Sequence, residues 1–190
     1  MPSHTRAPKQ LGDFGEGLVT YALIRKGFEV AYVDHVGADL IAERSPHRIA
    51  ISVKTRLYRG GTVETRGSVI EYEHIQKLEH FANRFGLEAV FAHVVCIADD
   101  NTIHLFMLRV VDIKQYLDRV GHGFRLRFGE KHLKDTIALP YVDYSSWSNE
   151  IVGDKLFGAQ LEPQALVDAG IISDVAQPVN AADRPEAAGG

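Results

Sequence analysis

The spacing of hydrophobic residues along this chain alternates between the period typical of helices and the period typical of strands. Apolar residues three to four positions apart predict helices over Leu11–Lys26, Val69–Phe85 and Asp112–Val120. In the first helix the apolar residues on or near one face are Leu11, Phe14, Leu18, Tyr21 and Ala22. The residue that follows each of the first two helices is a glycine, which is typical of a helix end.

Shorter apolar runs bounded by turn residues predict the strands. They are Phe28–Val33, Asp39–Glu43, Arg48–Thr55, Leu87–Ala98, Thr102–Val110, Phe124–Phe128 and Thr136–Tyr141. A helix followed by a strand meander, a second helix and more strands favours an α/β or α+β fold. Such a fold has a mixed central β-sheet flanked by helices on its faces.

The length and composition allow one well-buried core, because 190 residues with 45% hydrophobic content are few for two. We expect a flexible N-terminal arm over 1–10 and a folded domain over 11–158. Residues 159–190 hold five acids and one base and are rich in Ala and Pro, which predicts an acidic tail that is largely disordered at its end.

The single cysteine, Cys96, excludes an internal disulfide and fits a reducing compartment. No run of apolar residues approaches the roughly 20 that a membrane span needs, so no membrane association is expected. The first ten residues are polar and contain no apolar signal core. These features predict a cytoplasmic protein.

The strongest chemical signal is a pair of neighbouring strands that carry an acid and a lysine. Asp39 begins one apolar strand in Gly37-Ala38-Asp39-Leu40-Ile41, and Lys54 ends the next in Ile49-Ala50-Ile51-Ser52-Val53-Lys54. A buried lysine beside a carboxylate is costly unless a divalent cation and a phosphate make use of both. The alternatives are that Asp39 caps its own turn and that Lys54 points into solvent.

A second acid, Glu16, lies between Gly15 and Gly17 in an otherwise apolar helix. Each glycine weakens a helix by about 1 kcal/mol, so the pair indicates that the backbone closely approaches another part of the fold. The alternative is a solvated glutamate on the outer face of the helix.

These residues together resemble the PD-(D/E)xK nuclease superfamily, in its restriction-endonuclease-like and Holliday-junction-resolvase-like branches. That family has a helix-borne Glu, an Asp at a strand start and an E-x-K motif on the next strand. The chain is similar over about a quarter of its length, through Gly15-Glu16, Gly37-Ala38-Asp39-Leu40-Ile41 and Ser52-Val53-Lys54-Thr55-Arg56. The resemblance implies a restriction-endonuclease-like fold.

The resemblance also implies a role for each residue of the site. Asp39 would be a ligand of Mg²⁺ or Mn²⁺, Glu16 an auxiliary acid, and the carbonyl of Val53 would complete the metal shell. Lys54 would orient the attacking water or stabilise the charge of the transition state. DNA would be the partner, and proteins of the resolvase-like branch commonly work as dimers, so a homodimer is implied here too.

One candidate catalytic residue departs from the family, since Ser52 occupies the position of the E-x-K acid. A hydroxyl is a poor Mg²⁺ ligand, so the site lacks a full negative charge. The acid could be replaced by Glu16, or by Glu71 on the following helix, or the site could be inactive. Glu71 also fits a capping box with Ser68, in which it only bonds back to the helix start.

Basic residues cluster around this motif and are expected to bind the DNA backbone. Six bases and one acid lie between residues 44 and 66; the bases predicted to contact DNA besides Lys54 are Arg44, Arg48, Arg56, Arg59 and Arg66. Two histidines, His93 and His104, lie on the limbs of a predicted hairpin. We interpret them as hydrogen-bonded residues of the sheet rather than zinc ligands.

The sequence therefore predicts a divalent-metal-dependent nuclease-like protein that hydrolyses DNA phosphodiesters. The first alternative is a catalytically inactive module of the same fold that binds nucleic acid or a protein partner. The second is a structural protein in which the motif is coincidental; it requires Lys54 to face solvent, away from Asp39.

Overall fold

The computed structural model of the protein describes residues 7–58, 67–98 and 101–148. The chain divides into two units at the Ser148–Asn149 bond, and all described residues belong to the first unit. The predicted tail over 159–190 and the bases Arg59 and Arg66 lie outside the described residues. The division into arm, domain and tail stays a prediction.

Four helices occur in the described part of the chain. They are α1 (Ala7–Arg25), α2 (Tyr72–Phe85), α3 (Val110–Tyr116) and α4 (Glu130–Ile137). None of them is long and apolar enough to cross a membrane.

Nine strands accompany the helices in the described residues. They are β1 (Glu29–His35), β2 (Ala38–Arg44), β3 (His47–Tyr58), β4 (Gly67–Glu71), β5 (Glu88–Ile97), β6 (Thr102–Arg109), β7 (Asp118–Val120), β8 (Gly123–Arg127) and β9 (Val142–Ser148).

Six of the strands form a mixed sheet in the order β1-β2-β3-β5-β6-β9. The central pair, β3 and β5, is parallel, and every other neighbouring pair is antiparallel. The connection between the parallel strands carries β4 and α2, and β4 joins β8 and β7 in a small antiparallel sheet. The predicted mixed central sheet flanked by helices is confirmed.

Two hydrophobic cores lie on the two faces of this sheet, because side chains alternate along each strand. On one face α1 packs through Val19, Ala22 and Leu23 against the apolar side chains of β2, β3 and β5. On the other face α2 and β8 cover a core that includes Leu78 and Phe106. Strand β3 is therefore covered by a helix on each side.

The face that α1 buries coincides only in part with the predicted stripe: Ala22 is buried and Leu18 packs against the core. Phe14 and Tyr21 are exposed to 44% and 49% of their surface, whereas the smaller residues Gly15 and Val19 are buried. Small side chains allow the helix backbone to approach the sheet, which turns the larger ones outward. The predicted helix end is confirmed, since Gly27 has φ +80° and its N–H donates to the carbonyl of Ile24 at 2.9 Å.

Three further predictions of secondary structure are wrong. The helix predicted from Val69 begins only at Tyr72, because the preceding residues pair with β8. The segment predicted as extended over Thr136–Tyr141 begins in α4 and continues as a turn. The helix predicted over Asp112–Val120 is shifted: α3 spans Val110–Tyr116, and Asp118–Val120 form β7. Asp112 lies buried in the first turn of α3, where Arg109 Nε donates to its carboxylate at 2.6 Å.

Candidate functional site

The site begins where β2 and β3 separate. Their last paired residues are Leu40 and Ile51, and Asp39 lies one position beyond them. Beyond this pair the backbone hydrogen bonds between the two strands stop, and Asp39 Oδ2 accepts a hydrogen bond from the backbone N–H of Val53 at 2.6 Å. A residue in a strand directs its N–H and its C=O to the same side, so the Val53 carbonyl also faces the space beside Asp39.

The turn before β2 fixes the position of Asp39. Gly37 has φ +112°, a conformation that a residue with a side chain rarely adopts. A Cβ at this position would lie 2.5 Å from the carbonyl oxygen of Lys77 in α2. Asp39 itself is half-buried, between the buried residues Ala38 and Leu40. Turn, helix and core thus hold the carboxylate at the strand end.

Helix α1 brings Glu16 to the same place through a close contact. A Cβ on Gly15 would lie 1.8 Å from Thr55 Oγ1, so the helix approaches β3 at a distance that only glycine permits. This explains one glycine of the Gly-Glu-Gly sequence. The other, Gly17, is exposed and has open space around it.

The charge of Glu16 is coupled to that of Asp39. Burial raises the pKa of the Glu16 carboxyl, and the negative charges of Asp39 and Asp13 raise it further. Two neighbouring carboxylates that repel each other, beside a backbone carbonyl, form a set of hard oxygen donors. Such a set suits a divalent cation, which would relieve the repulsion.

Lys54 and Ser52 lie on the face of β3 opposite Ile51 and Val53, because the strand alternates. Both are half-buried. Lys54 is paired with His93 of β5 in the parallel ladder. In the described part of the chain no ion pair joins Lys54 to Asp39, so the two groups flank the strand end without neutralising each other.

The sequence interpretation did not recognise the environment of His93. Its side chain is only 1% exposed, and among the described residues neither ring nitrogen has a partner of full hydrogen-bond geometry; a backbone contact with Lys54 partly opposes the fall in its pKa. Burial and, secondarily, the charge of Arg56 lower the pKa of His93 to about 4, so the imidazole is neutral at pH 7. The prediction that the histidines are hydrogen-bonded is confirmed for His104, which lies 2.8 Å from the hydroxyl of Tyr144, whereas His93 has only the backbone contact with Lys54. The sequence alone does not show that Lys54 pairs with β5, and it is this pairing that places His93 beside it.

The capping box predicted for Glu71 and Ser68 does not form. Ser68 is in the middle of β4, and Glu71 ends that strand at the N-cap position of α2 without a side-chain cap hydrogen bond. The Glu71 carboxylate instead lies 3.5 Å from the ring of His74. Glu71 as a metal ligand stays a prediction.

The predicted DNA-binding arginines occupy two places. Arg44 and Arg48 lie near the β2–β3 turn, about 13 Å or more along the strand from Ser52. They have protein partners there: Arg44 donates to the Lys26 carbonyl at 2.7 Å, and Arg48 lies 3.3 Å from Glu43. Arg56 is exposed and follows Lys54 on the site's face of β3.

The donor set for a metal is small. Among the described residues, no three His, Cys, Asp or Glu side chains converge as a metal site would require. Asp39, Glu16 and the Val53 carbonyl would supply two carboxylates and one backbone oxygen. These donors fit Mg²⁺ or Mn²⁺ with several water ligands retained.

Comparisons with known proteins give structural but no sequence matches. No family model and no curated protein matches the chain. Among solved structures, the Holliday junction resolvase Hjc of the archaeal hyperthermophile Archaeoglobus fulgidus aligns with 20% identity and a TM-score of 0.44, over 61% of this chain and 83% of that one. A bacterial homing endonuclease aligns with 14% identity and a TM-score of 0.41, over 68% and 78% respectively.

Proposed function

We propose that the protein is a divalent-metal-dependent nuclease that hydrolyses DNA phosphodiesters. The observation that carries this proposal is the meeting of Asp39, Glu16 and the Val53 backbone at the start of β2, with Lys54 as the next residue of β3. Acidic oxygens and a lysine at one strand end are suited to a cation and a phosphate at the same time.

Each residue has a defined task in this proposal. Asp39, Glu16 and the Val53 carbonyl would hold Mg²⁺ or Mn²⁺. The bound cation would supply Lewis-acid polarisation of the phosphoryl oxygen and lower the pKa of a bound water. The Val53 N–H keeps one oxygen of Asp39 engaged at 2.6 Å and thereby fixes the orientation of the other.

Lys54 would donate hydrogen bonds to a non-bridging oxygen of the scissile phosphate or to the attacking water. Attack would form a new P–O bond from water, which gives up a proton to solvent, and would break the P–O bond to the leaving sugar oxygen, which takes up a proton from solvent. The neutral His93 beside Lys54 adds no positive charge to the site.

A second candidate function follows from Ser52. Without a third acid among the described residues, the affinity for a cation would be low. The protein would then bind DNA through Lys54 and Arg56 without cutting it. This module would be insensitive to chelators, and its affinity would fall with salt.

The deciding experiment measures cleavage of a mixture of duplex, flap and four-way-junction DNA with Mg²⁺, Mn²⁺ or EDTA. We expect metal-dependent cutting by the wild type and a loss of about a hundredfold or more in Asp39→Asn and in Lys54→Met, because each removes a group that acts on the transition state. Glu43→Gln is the matched control for Asp39→Asn, since Glu43 is an exposed acid of the same strand.

The same assay separates the two candidate functions through Ser52→Glu, which restores the acid of the E-x-K motif. Cutting by Ser52→Glu but not by the wild type would favour the inactive module. Cutting by the wild type that persists in Asp39→Asn would contradict the proposed site. Failure of every variant to cut, with DNA binding intact, would contradict the nuclease proposal itself.

A further inference from the structure

We propose that the groove between the start of α1 and the end of β3 binds an unpaired nucleotide of a single-stranded polynucleotide, with the base on Phe14 and the phosphate beside Arg56. This inference deepens the proposed nuclease function and rests on it, because it names the form of substrate that the site would receive. We call this cleft the α1–β3 groove; it has a volume of about 800 Å³ and is lined by residues of both elements, among them Gln10, Phe14, Lys54 and Arg56.

The floor of the groove is a strand edge that no described strand covers. Strand β3 pairs with β5 as far as Tyr58, but its pairing with β2 ends at Ile51. The Val53 N–H points away from β5, toward Asp39, and the direction of backbone groups alternates along a strand. The N–H and C=O groups of Thr55 and Leu57 therefore also face away from β5, where they can bond to a ligand.

The wall of the groove is apolar and exposed. Phe14 keeps 44% of its surface accessible and Leu57 keeps 42%, although both are large hydrophobic residues next to a covered core. The flat face of a nucleobase can cover such side chains, since every base stacks on an aromatic ring regardless of its identity. A nucleobase is therefore the group that we expect to stack against this wall.

The charge of the groove favours a polyanion over a peptide. Two basic residues of its lining, Lys54 and Arg56, leave β3 at its open edge on the face away from α1, and no described acidic residue lines the groove. The carboxylates of the site lie just beyond, where Asp39 holds the Val53 N–H. A strand whose phosphate contacts Arg56 would thus run from the groove toward the proposed cleavage position.

The size of the groove favours a single strand over a duplex. Its volume lies within the range of roughly 300–1,000 Å³ that is typical of sites enclosing a small molecule. Within a duplex the bases present only their edges, so away from the duplex ends a flat base face reaches Phe14 only from an unpaired nucleotide.

The test is fluorescence anisotropy with a labelled single-stranded DNA, a single-stranded RNA of the same sequence and a blunt duplex, all in EDTA. The matched pair of variants is Phe14→Ala and Tyr21→Ala, which remove exposed aromatic rings of 44% and 49% accessibility from the same helix; Tyr21 lies outside the groove. We expect Phe14→Ala to weaken single-strand binding at least fivefold and Tyr21→Ala to leave it within twofold.

Arg56→Gln tests the phosphate contact independently. We expect it to reduce the slope of log affinity against log salt by about 0.7 for the single strand, as loss of one phosphate contact requires. The DNA and RNA arms show which sugar the groove accepts. Thermal melting of each variant confirms that the fold is retained.

Three results would overturn the inference: tighter binding of the blunt duplex than of either single strand, equal effects of Phe14→Ala and Tyr21→Ala, or no binding of any polynucleotide. The last result would leave the open edge of β3 suited to a strand from a protein. Because the assay contains no metal, loss of cleavage does not affect its outcome. Conversely, cleavage without a Phe14 effect would retain the nuclease proposal and remove this one.

Discussion

The two halves of β3 have the same backbone but different surroundings. From His47 to Ile51 the strand lies between β2 and β5, and its apolar residues Ile49, Ala50 and Ile51 are buried. From Ser52 to Tyr58 its only partner among the described strands is β5, and polar residues appear on both faces. The first part, which we call the closed half, contributes stability. The second part, the open half, presents backbone N–H and C=O groups on the side away from β5. One strand thus anchors the site in the core and carries its chemistry.

The largest expected effect belongs to the closed half. Ile51→Ala should lower the free energy of unfolding by about 2–5 kcal/mol, because Ile51 is fully buried between two strands and beneath α1. Leu57→Ala in the open half should cost about 1 kcal/mol or less, since Leu57 is 42% exposed. Urea unfolding of both variants measures the difference. Equal losses would mean that the open half is covered as fully as the closed one.

A second prediction concerns the histidine beneath the open half. His93 is held neutral, with a pKa of about 4, whereas in the unfolded chain its pKa is near 6.5. As the pH falls from about 6.5 to 4, the unfolded state gains a proton that the folded state does not, so stability decreases, by roughly 3 kcal/mol from this residue. His93→Leu should abolish this part of the pH dependence.

The matched control for that variant is His80→Leu, at an exposed position of α2. Urea unfolding at pH 7.5 and pH 4.5 gives the two differences from wild type. At pH 7.5 His93→Leu should be neutral or stabilising, because it removes a buried imidazole whose ring nitrogens have no partner of full hydrogen-bond geometry among the described residues. An unchanged pH dependence in His93→Leu would show that the imidazole is protonated in the folded protein.

The third and smallest effect concerns the contact of α1 with the open half. Gly15→Ala should destabilise by about 1–3 kcal/mol, because its Cβ would overlap Thr55 Oγ1. Gly17→Ala should instead stabilise by up to about 1 kcal/mol, since the space there is open and alanine favours helix. Thermal melting tests both. The double variant Gly15→Ala/Thr55→Ala should recover most of the loss, and failure to recover would place the strain elsewhere.

The sequence predicted the sheet and its helices where the pattern depends on near neighbours. Strands β2, β3, β5 and β6 and the end of α1 follow from alternation and from Gly27. Strand β4 was assigned to a helix because its apolar residues pair with β8, more than 50 residues away in the chain. The buried face of α1 was misjudged in part because Gly15, without a side chain, carries no hydrophobic signal yet makes the closest contact.

For the candidate site, too, the sequence indicates residues that stand out from their near neighbours but not contacts between distant parts of the chain. Asp39, Lys54 and Glu16 are distinguishable in the sequence because each interrupts an apolar pattern. His93 was not, because its relation to Lys54 depends on the parallel register of β3 with β5 across a connection of about thirty residues. The exposure of Phe14 depends likewise on which side of α1 meets the sheet.

The bond between Asp39 and Val53 has a consequence for how this protein can be studied. The side chain of Val53 packs toward α1, while its N–H donates to Asp39 and its C=O faces the space beside Asp39. Any apolar amino acid at position 53 would present the same two backbone groups, so neither a motif search nor alanine scanning registers their contribution. Replacing the amide by an ester through chemical synthesis is the kind of change that removes the N–H donor while leaving every side chain in place.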